Sequence, residues 1–323
     1  MHEPLGPRLL GDIGGTNARF GWQRHAGEPI VDVATLACAA HDSLQSAIRH
    51  YLVAQGLQGP QAGALAIANP IVGDRVQMTN HHWSFSISGL QRDLGLERLA
   101  VINDFTALAL SLPTIPSTDL SQIGRGTAVA GSPLAVLGPG TGLGVSGLLP
   151  TGRGAFVPIG GEGGHVTLAP CDAHEAAALE WLRHRFGHAS AERALSGPGL
   201  VNLYQAACSM SGNPAQALEP AQVIEGARGN ADACCAAALD LFCSFLGNVA
   251  GNLALTLGAR GGVFIGGGIA PRLIEDIERS AFRERFEGKG RFRDYLGGIP
   301  TFVIDTAVSP ALEGAARALD MDA

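Results

Sequence analysis

The 323-residue chain carries 22 Lys and Arg against 29 Asp and Glu, a net charge of −7, and 46% of its residues are apolar. This balance gives no basic footprint for nucleic acid and excludes a highly charged disordered chain, while the length favours two domains or one large bilobed unit. An acidic or phosphorylated ligand therefore needs local positive charge.

Residues 9–22, LLGDIGGTNARFGW, read as a strand, a tight polar turn and a returning strand. Gly14 and Gly15 allow positive φ, Thr16 and Asn17 add short polar groups, and Asp12 stands just before the turn. Two readings are open: an ordinary hairpin with an exposed acid, or a cradle whose amides hold phosphate while Asp12 holds a hydrated divalent cation. Residues 29–38 follow as a strand, and 42–52 as a helix with Asp42 as its cap. The apolar runs 64–68 and 99–102 read as further strands, the second ending at Asn103 and Asp104 before a helix over 105–112. Strands alternating with helices predict a partly parallel sheet.

From 113 to 132 the composition shifts to Pro, Ser, Thr and Gly, which marks the crossing between domains. Residues 134–149, LAVLGPGTGLGVSGLL, then repeat the opening design, so two domains share one plan, although this second cradle has no acid. Glu162 and His165 follow among glycines, then a helix over 175–186 ended by Gly187, and another over 190–204 with Ser190 as its cap and Glu192 near its start. Residues 233–257 are apolar at membrane-span length, but Asp240, Gly247, Asn248, Gly251 and Asn252 interrupt them, which predicts a buried helix. A strand then enters the turn Gly266, Gly267, Gly268 and a helix containing Leu273 and Ile277; 302–304 form a strand and 312–319 a docked helix. The six cysteines include no CxxC pair, which predicts neither zinc nor disulfides, and the first residues lack a signal-peptide pattern, so a cytoplasmic location is expected.

Taken in order, DIGGTN (12–17), GPGTGLG (138–144) and GGVFIGGGIAPR (261–272) resemble the first phosphate, second phosphate and adenosine loops of the actin and hexokinase superfamily. MTNHHWSFS (78–86), VINDFTA (101–107), GEGGH (161–165) and ERALSGPGLVNLY (192–204) narrow the likeness to the bacterial glucokinase family, over almost the whole chain. The resemblance implies two α/β domains, each with a mixed five-stranded sheet, flanking an active-site cleft. It places the small domain at 1–114 plus 305–323 and the large one at 115–304. The related ROK kinases carry a zinc-binding cysteine cluster after the Glu-Gly-Gly-His segment; here Cys171 stands alone, so zinc is not expected.

The implied reaction is transfer of phosphate from Mg-ATP to the 6-hydroxyl of glucose. Asp104, directly after its strand, is the candidate general base, against the plainer reading that it caps the next helix. By resemblance Asn80, Asn103, Glu162, His165 and Glu192 bind the sugar, although a flexible polar loop would explain 162 and 165, and a helix-dipole role would explain Glu192. Gly14, Gly15, Thr16 and Asn17 take one face of the phosphates, Gly140, Thr141 and Gly142 the other, Gly266 to Gly268 the nucleoside, and Asp12 the Mg²⁺. Arg19 or Lys289 could add positive charge on the nucleotide side, although a surface role is the plainer reading of each. The expected partners are glucose, ATP and a second copy in a homodimer, without nucleic acid or membrane. Rival readings are a kinase for another hexose or an amino sugar, a sugar sensor without catalysis, which is expected to carry a DNA-binding helix-turn-helix before residue 9, and a scaffold ATPase.

Overall fold

The computed structural model describes residues 6–79, 81–152, 154–229, 232–306 and 309–321. In chain order, β1 (Arg8–Ile13), β2 (Asn17–Gln23) and β3 (Val31–Ala37) precede α1 (Leu44–Ala54). Strands β4 (Ala62–Ile67), β5 (Arg75–Gln77) and β6 (Ser84–Ser86) precede α2 (Ile87–Asp93), and β7 (Arg98–Asn103) runs directly into α3 (Asp104–Ser111). Next come β8 (Leu120–Ile123), β9 (Leu134–Pro139), β10 (Leu143–Pro150) and β11 (Phe156–Gly161). Helices α4 (Ala173–Phe186), α5 (Ala191–Ala194), α6 (Gly197–Met210), α7 (Pro220–Arg228) and α8 (Ala233–Leu257) follow, then β12 (Gly262–Ile265). Short helices α9 (Ile274–Arg279), α10 (Phe282–Glu287) and α11 (Arg293–Gly297) lead to β13 (Thr301–Ile304) and α12 (Ala311–Asp320).

The chain divides into two compact units, Met1–Ile115 with Thr306–Ala323, and Pro116–Asp305. In the first unit the sheet order is β3-β2-β1-β4-β7, with β1, β2 and β3 antiparallel and β1, β4 and β7 parallel. In the second the order is β11-β10-β9-β12-β13-β8, antiparallel through β11, β10 and β9 and parallel through β9, β12 and β13. The two Gly-rich hairpins are thus the same hairpin of a duplicated sheet. The second sheet has six strands rather than five. Its extra edge strand, β8, comes from the stretch read as a crossing: Ile123 is buried and pairs with Thr301, whose hydroxyl also donates to the Ile123 carbonyl at 2.7 Å.

In the first unit, the all-apolar strand β4 is buried throughout, as a central parallel strand requires. One face of this sheet packs on α1 through Phe20, Ile48 and Tyr51; the other packs on α12 through Leu10, Ala62, Ala64, Leu312 and Leu319. In the second unit α8 is the core helix, buried among Leu200, Tyr204, Val223, Phe282 and Phe286. It is the one helix among the described residues long and apolar enough to cross a membrane, and 78% of its apolar stretch is buried inside the protein.

Two caps differ from expectation. Ser43, not Asp42, caps α1 through a reciprocal pair with Ser46. The helix read over 190–204 breaks after α5 and restarts at Ser196, whose hydroxyl accepts from Gly199 N–H at 2.9 Å.

Candidate active site

Strand register gathers the first set of residues. Ile13 of β1 lies beside Ile67 of β4, and Ile67 beside Asn103 of β7, so three parallel strands stop at one level. Their carboxyl ends carry the 14–16 turn, Asn69, and Asn103 with Asp104, the edge where open α/β sheets bind ligands. The cap of α3 is Asn103: its Oδ1 accepts from Phe105 N–H at 2.9 Å and Thr106 N–H at 3.2 Å. The capping reading of Asp104 is therefore replaced. Its Oδ1 instead accepts from Phe105 N–H at 2.9 Å and Asn103 Nδ2 at 3.0 Å, and no hydrogen bond reaches its Oδ2 among the described residues.

Burial pushes the Asp104 carboxyl up to about 6, the charge of Asp12 adding to the rise and the Phe105 and Asn103 donors opposing it. Asp12 is itself raised by burial, against the Ser309 hydroxyl and the Arg19 guanidinium, whose Nη1 is 3.6 Å from Oδ2. Arg19 is thus a partner of Asp12 rather than a detached surface charge. Gly14 N–H donates to the Asn17 carbonyl at 2.9 Å, and neither Gly14 nor Gly15 takes a positive φ. The turn is held from outside by Cys38, whose N–H reaches the Thr16 carbonyl at 2.8 Å and whose thiol lies 3.4 Å from the Gly14 carbonyl. Asn80 lies outside the described residues; Thr79 before it donates its N–H to Asn69 Oδ1 at 3.0 Å, and the Asn69 carbonyl is 3.5 Å from Asn103 Nδ2.

The second set assembles in the other unit. The 140–142 turn between β9 and β10 is closed by Gly140 N–H on the Gly142 carbonyl at 2.8 Å, and the first N–H of α6, from Gly197, donates to the Gly140 carbonyl at 2.8 Å. The exposed Thr141 thus sits on a loop seated at a helix N-terminus, where backbone dipoles favour an anion. Gly266 N–H bonds the Leu137 carbonyl at 2.8 Å, which lays the 266–268 turn beside the end of β9. Gly267 has φ 80°, and a Cβ there would strike the Pro139 carbonyl, so no other residue fits without a shift.

Glu192 does not serve a long helix dipole, since α5 has four residues. Its Oε2 accepts from Leu143 N–H at 3.0 Å, and its Oε1 stands 4.0 Å from His165 Nδ1. His165 and Glu162 are exposed on a turn whose glycines, Gly163 and Gly164, lie against Val145 and Leu143. The flexible-loop reading is therefore set aside: the turn is packed while its polar side chains are presented outward. Lys289 is also not a surface residue. It is half-buried, its ammonium donates to Asn248 Oδ1, and burial lowers its pKa. Among the described residues no cluster of three or more His, Cys, Asp or Glu side chains is placed to hold a metal ion.

The glucokinase family model matches residues 9–322. A glucokinase of Aromatoleum aromaticum is 56% identical over 317 residues, covering 97% of this chain and 95% of that protein. One from Chromobacterium violaceum is 50% identical, covering 97% and 89%. The chain belongs to the glucokinase family. Among solved structures, glucokinase from an Antarctic psychrotroph superposes with a TM-score of 0.89 at 39% identity, covering 97% of this chain and 98% of that one. The α/β fold with two mixed sheets is the actin/hexokinase-like fold of that family.

For a glucokinase-family chain the structure adds residues the sequence did not single out. Ser309 hydrogen-bonds Asp12 and accepts from Ala311 N–H at 3.3 Å, so the start of α12 orients the first-loop carboxylate. Cys38 anchors the same loop. Neither carries a local signal, because both lie far in sequence from the loop they touch.

Proposed function

We propose that the chain transfers the γ-phosphoryl group of ATP to the 6-hydroxyl of D-glucose, with Asp104 as the general base. The observation that carries this reading is the state of Asp104: a carboxyl held near pH 6, released from capping by Asn103, with Oδ2 left for a hydroxyl proton. A base poised near working pH both exists ionised and gains from protonation in the transition state. Asn103, Glu162, His165 and Glu192, with Asn80, bind the hydroxyls of the sugar, each offering groups that pair with a polyol. A sugar lacking the matching hydroxyl would leave them unpaired.

The 14–17 turn and the 140–142 turn hold the phosphates through backbone N–H groups and the Thr16 and Thr141 hydroxyls, and the 266–268 turn receives the nucleoside against bare backbone. A divalent cation fits the first turn. Asp104 feels the charge of Asp12, and among the described residues the Asp12 carboxylate meets the Ser309 hydroxyl and the Arg19 guanidinium 3.6 Å away. Asp12 would hold Mg²⁺ through water, and the bound ion would neutralise charge on the phosphates. The Ser309 hydroxyl and the Arg19 charge oppose the burial that raises the Asp12 carboxyl, and Ser309 orients it. Glucose and ATP are the partners; the chain works in the cytoplasm as a homodimer, and light scattering with calibrated mass measures that assembly.

A coupled assay of glucose, mannose, fructose and N-acetylglucosamine with ATP and Mg²⁺ tests the reading. The highest kcat/KM is expected for glucose. A preference for an amino sugar moves the assignment to that kinase class, and no turnover with any of the four overturns it.

A further inference from the structure

Glu192 touches two things at once. Oε2 takes the Leu143 N–H at the exit of the 140–142 turn at 3.0 Å, and Oε1 faces His165 at 4.0 Å. A Cβ on Gly142 would strike Oε2, whereas a Cβ on Gly140, two residues earlier, would meet nothing within 4 Å. The carboxylate is thus wedged against the turn read as holding phosphate while facing the turn read as holding sugar. Its own backbone is fixed as well. The Ser196 hydroxyl donates to the Glu192 carbonyl at 2.9 Å, and Gly197 N–H returns to the Gly140 carbonyl at 2.8 Å. The 192–197 segment therefore grips the 140–142 turn at both ends, once by a side chain and once by the backbone.

On the reading of Glu192 as a sugar ligand, we infer that this residue couples hexose binding to nucleotide binding. A hexose hydroxyl donating to the carboxylate fixes its position. The fixed carboxylate, through a charge-assisted bond to Leu143 N–H, fixes the turn whose amides meet phosphate. The first ligand to bind orders the segment, and the second finds it ordered, so each tightens the other by the same factor. A further consequence is specific to this geometry: a methyl group added to a phosphate-loop glycine displaces a sugar ligand.

Calorimetric titration of the full chain with glucose, without nucleotide, tests this on Gly142→Ala and Gly140→Ala. Neither position has a positive φ, so alanine is accessible to both backbones. Gly142→Ala is expected to weaken glucose binding at least tenfold and Gly140→Ala by less than twofold. Equal glucose affinities for the two variants overturn the coupling. Should Gly142→Ala fail to fold, Glu192→Ala carries the test: affinity for a non-hydrolysable ATP analogue with Mg²⁺, without sugar, is expected to fall at least threefold, and an unchanged affinity overturns the inference. Wild-type protein that binds another hexose in place of glucose removes the glucose assignment alone, and the glycine pair is then compared with that hexose. Wild-type protein that binds no hexose overturns both.

Discussion

The two Gly-rich hairpins occupy the same place in two copies of one sheet, yet each obtains its carboxylate differently. The first carries Asp12 within its own strand, steadied by Arg19 and by Ser309 from the far end of the chain. The second has no acid in its sequence and receives Glu192 from a helix some fifty residues later. The first acid meets a guanidinium and a hydroxyl, whereas the second is committed to a backbone N–H. A duplicated fold therefore kept the backbone of the cradle and let its charges diverge.

The largest expected effect lies in the first unit. Asp104→Asn should lower kcat by about 10²–10⁴-fold while glucose binding stays measurable by calorimetry, since general-base catalysis supplies that range; near-normal turnover would remove Asp104 from the role. In the wild type the acid limb of kcat/KM should have its midpoint near 6, because the base works only when ionised. The same shift has a stability sign. The unfolded chain ionises Asp104 near pH ~4 and the folded chain near 6, so stability falls across that window as pH rises, and the cost persists above it. Asp104→Asn should thus raise stability at pH 7 by on the order of 2 kcal/mol and leave it unchanged at pH 4, as denaturant titrations at the two pH values would register.

Glu175 sets the next effect, on the supports of the second unit. It is 1% exposed, and its carboxylate takes Arg285 Nε at 2.7 Å and Cys171 N–H at 2.6 Å, fastening the segment that follows the Glu162 turn. Glu175→Gln leaves a poorly matched guanidinium and should cost about 3 kcal/mol, read as a lower denaturation midpoint. Asp12→Asn sharpens the contrast between the hairpins. Nucleotide affinity should fall in Mg²⁺ but hardly in EDTA, whereas the loss at Glu192→Ala should be alike in both; a Mg²⁺-independent loss at Asp12 would erase the distinction. The smallest effect belongs to Cys38→Ala, which removes a weak thiol donor from the Gly14 carbonyl. It should raise KM for ATP about two- to fivefold with KM for glucose unchanged.

The hairpins, the order of the loops and the placement of Asp104 were legible because each is local: an apolar run, a glycine turn, an acid after a strand. The long-range partners were not. Asn103 as the cap depended on which of two adjacent polar side chains turned inward, a choice composition leaves undecided. Lys289 was not placed from sequence because the partner that holds its ammonium, Asn248, lies 41 residues away. Strand β8 was hidden by a turn-rich composition, since a four-residue edge strand needs only one buried side chain to pair. Glu192 as a support of the 140–142 turn appeared only when the fold brought residues 143 and 192 together.

The position of α12 also dictates the order in which the polypeptide can mature during synthesis. The second unit is one continuous stretch and has all its parts once residue 305 has left the ribosome. The first unit, although translated first, keeps Leu10, Ala62 and Ala64 uncovered until Leu312, Ala315 and Leu319 arrive to close its sheet. The Asp12 cradle, which also waits for Ser309, is therefore completed only after the whole of the second unit has been made, although its own strand is translated first.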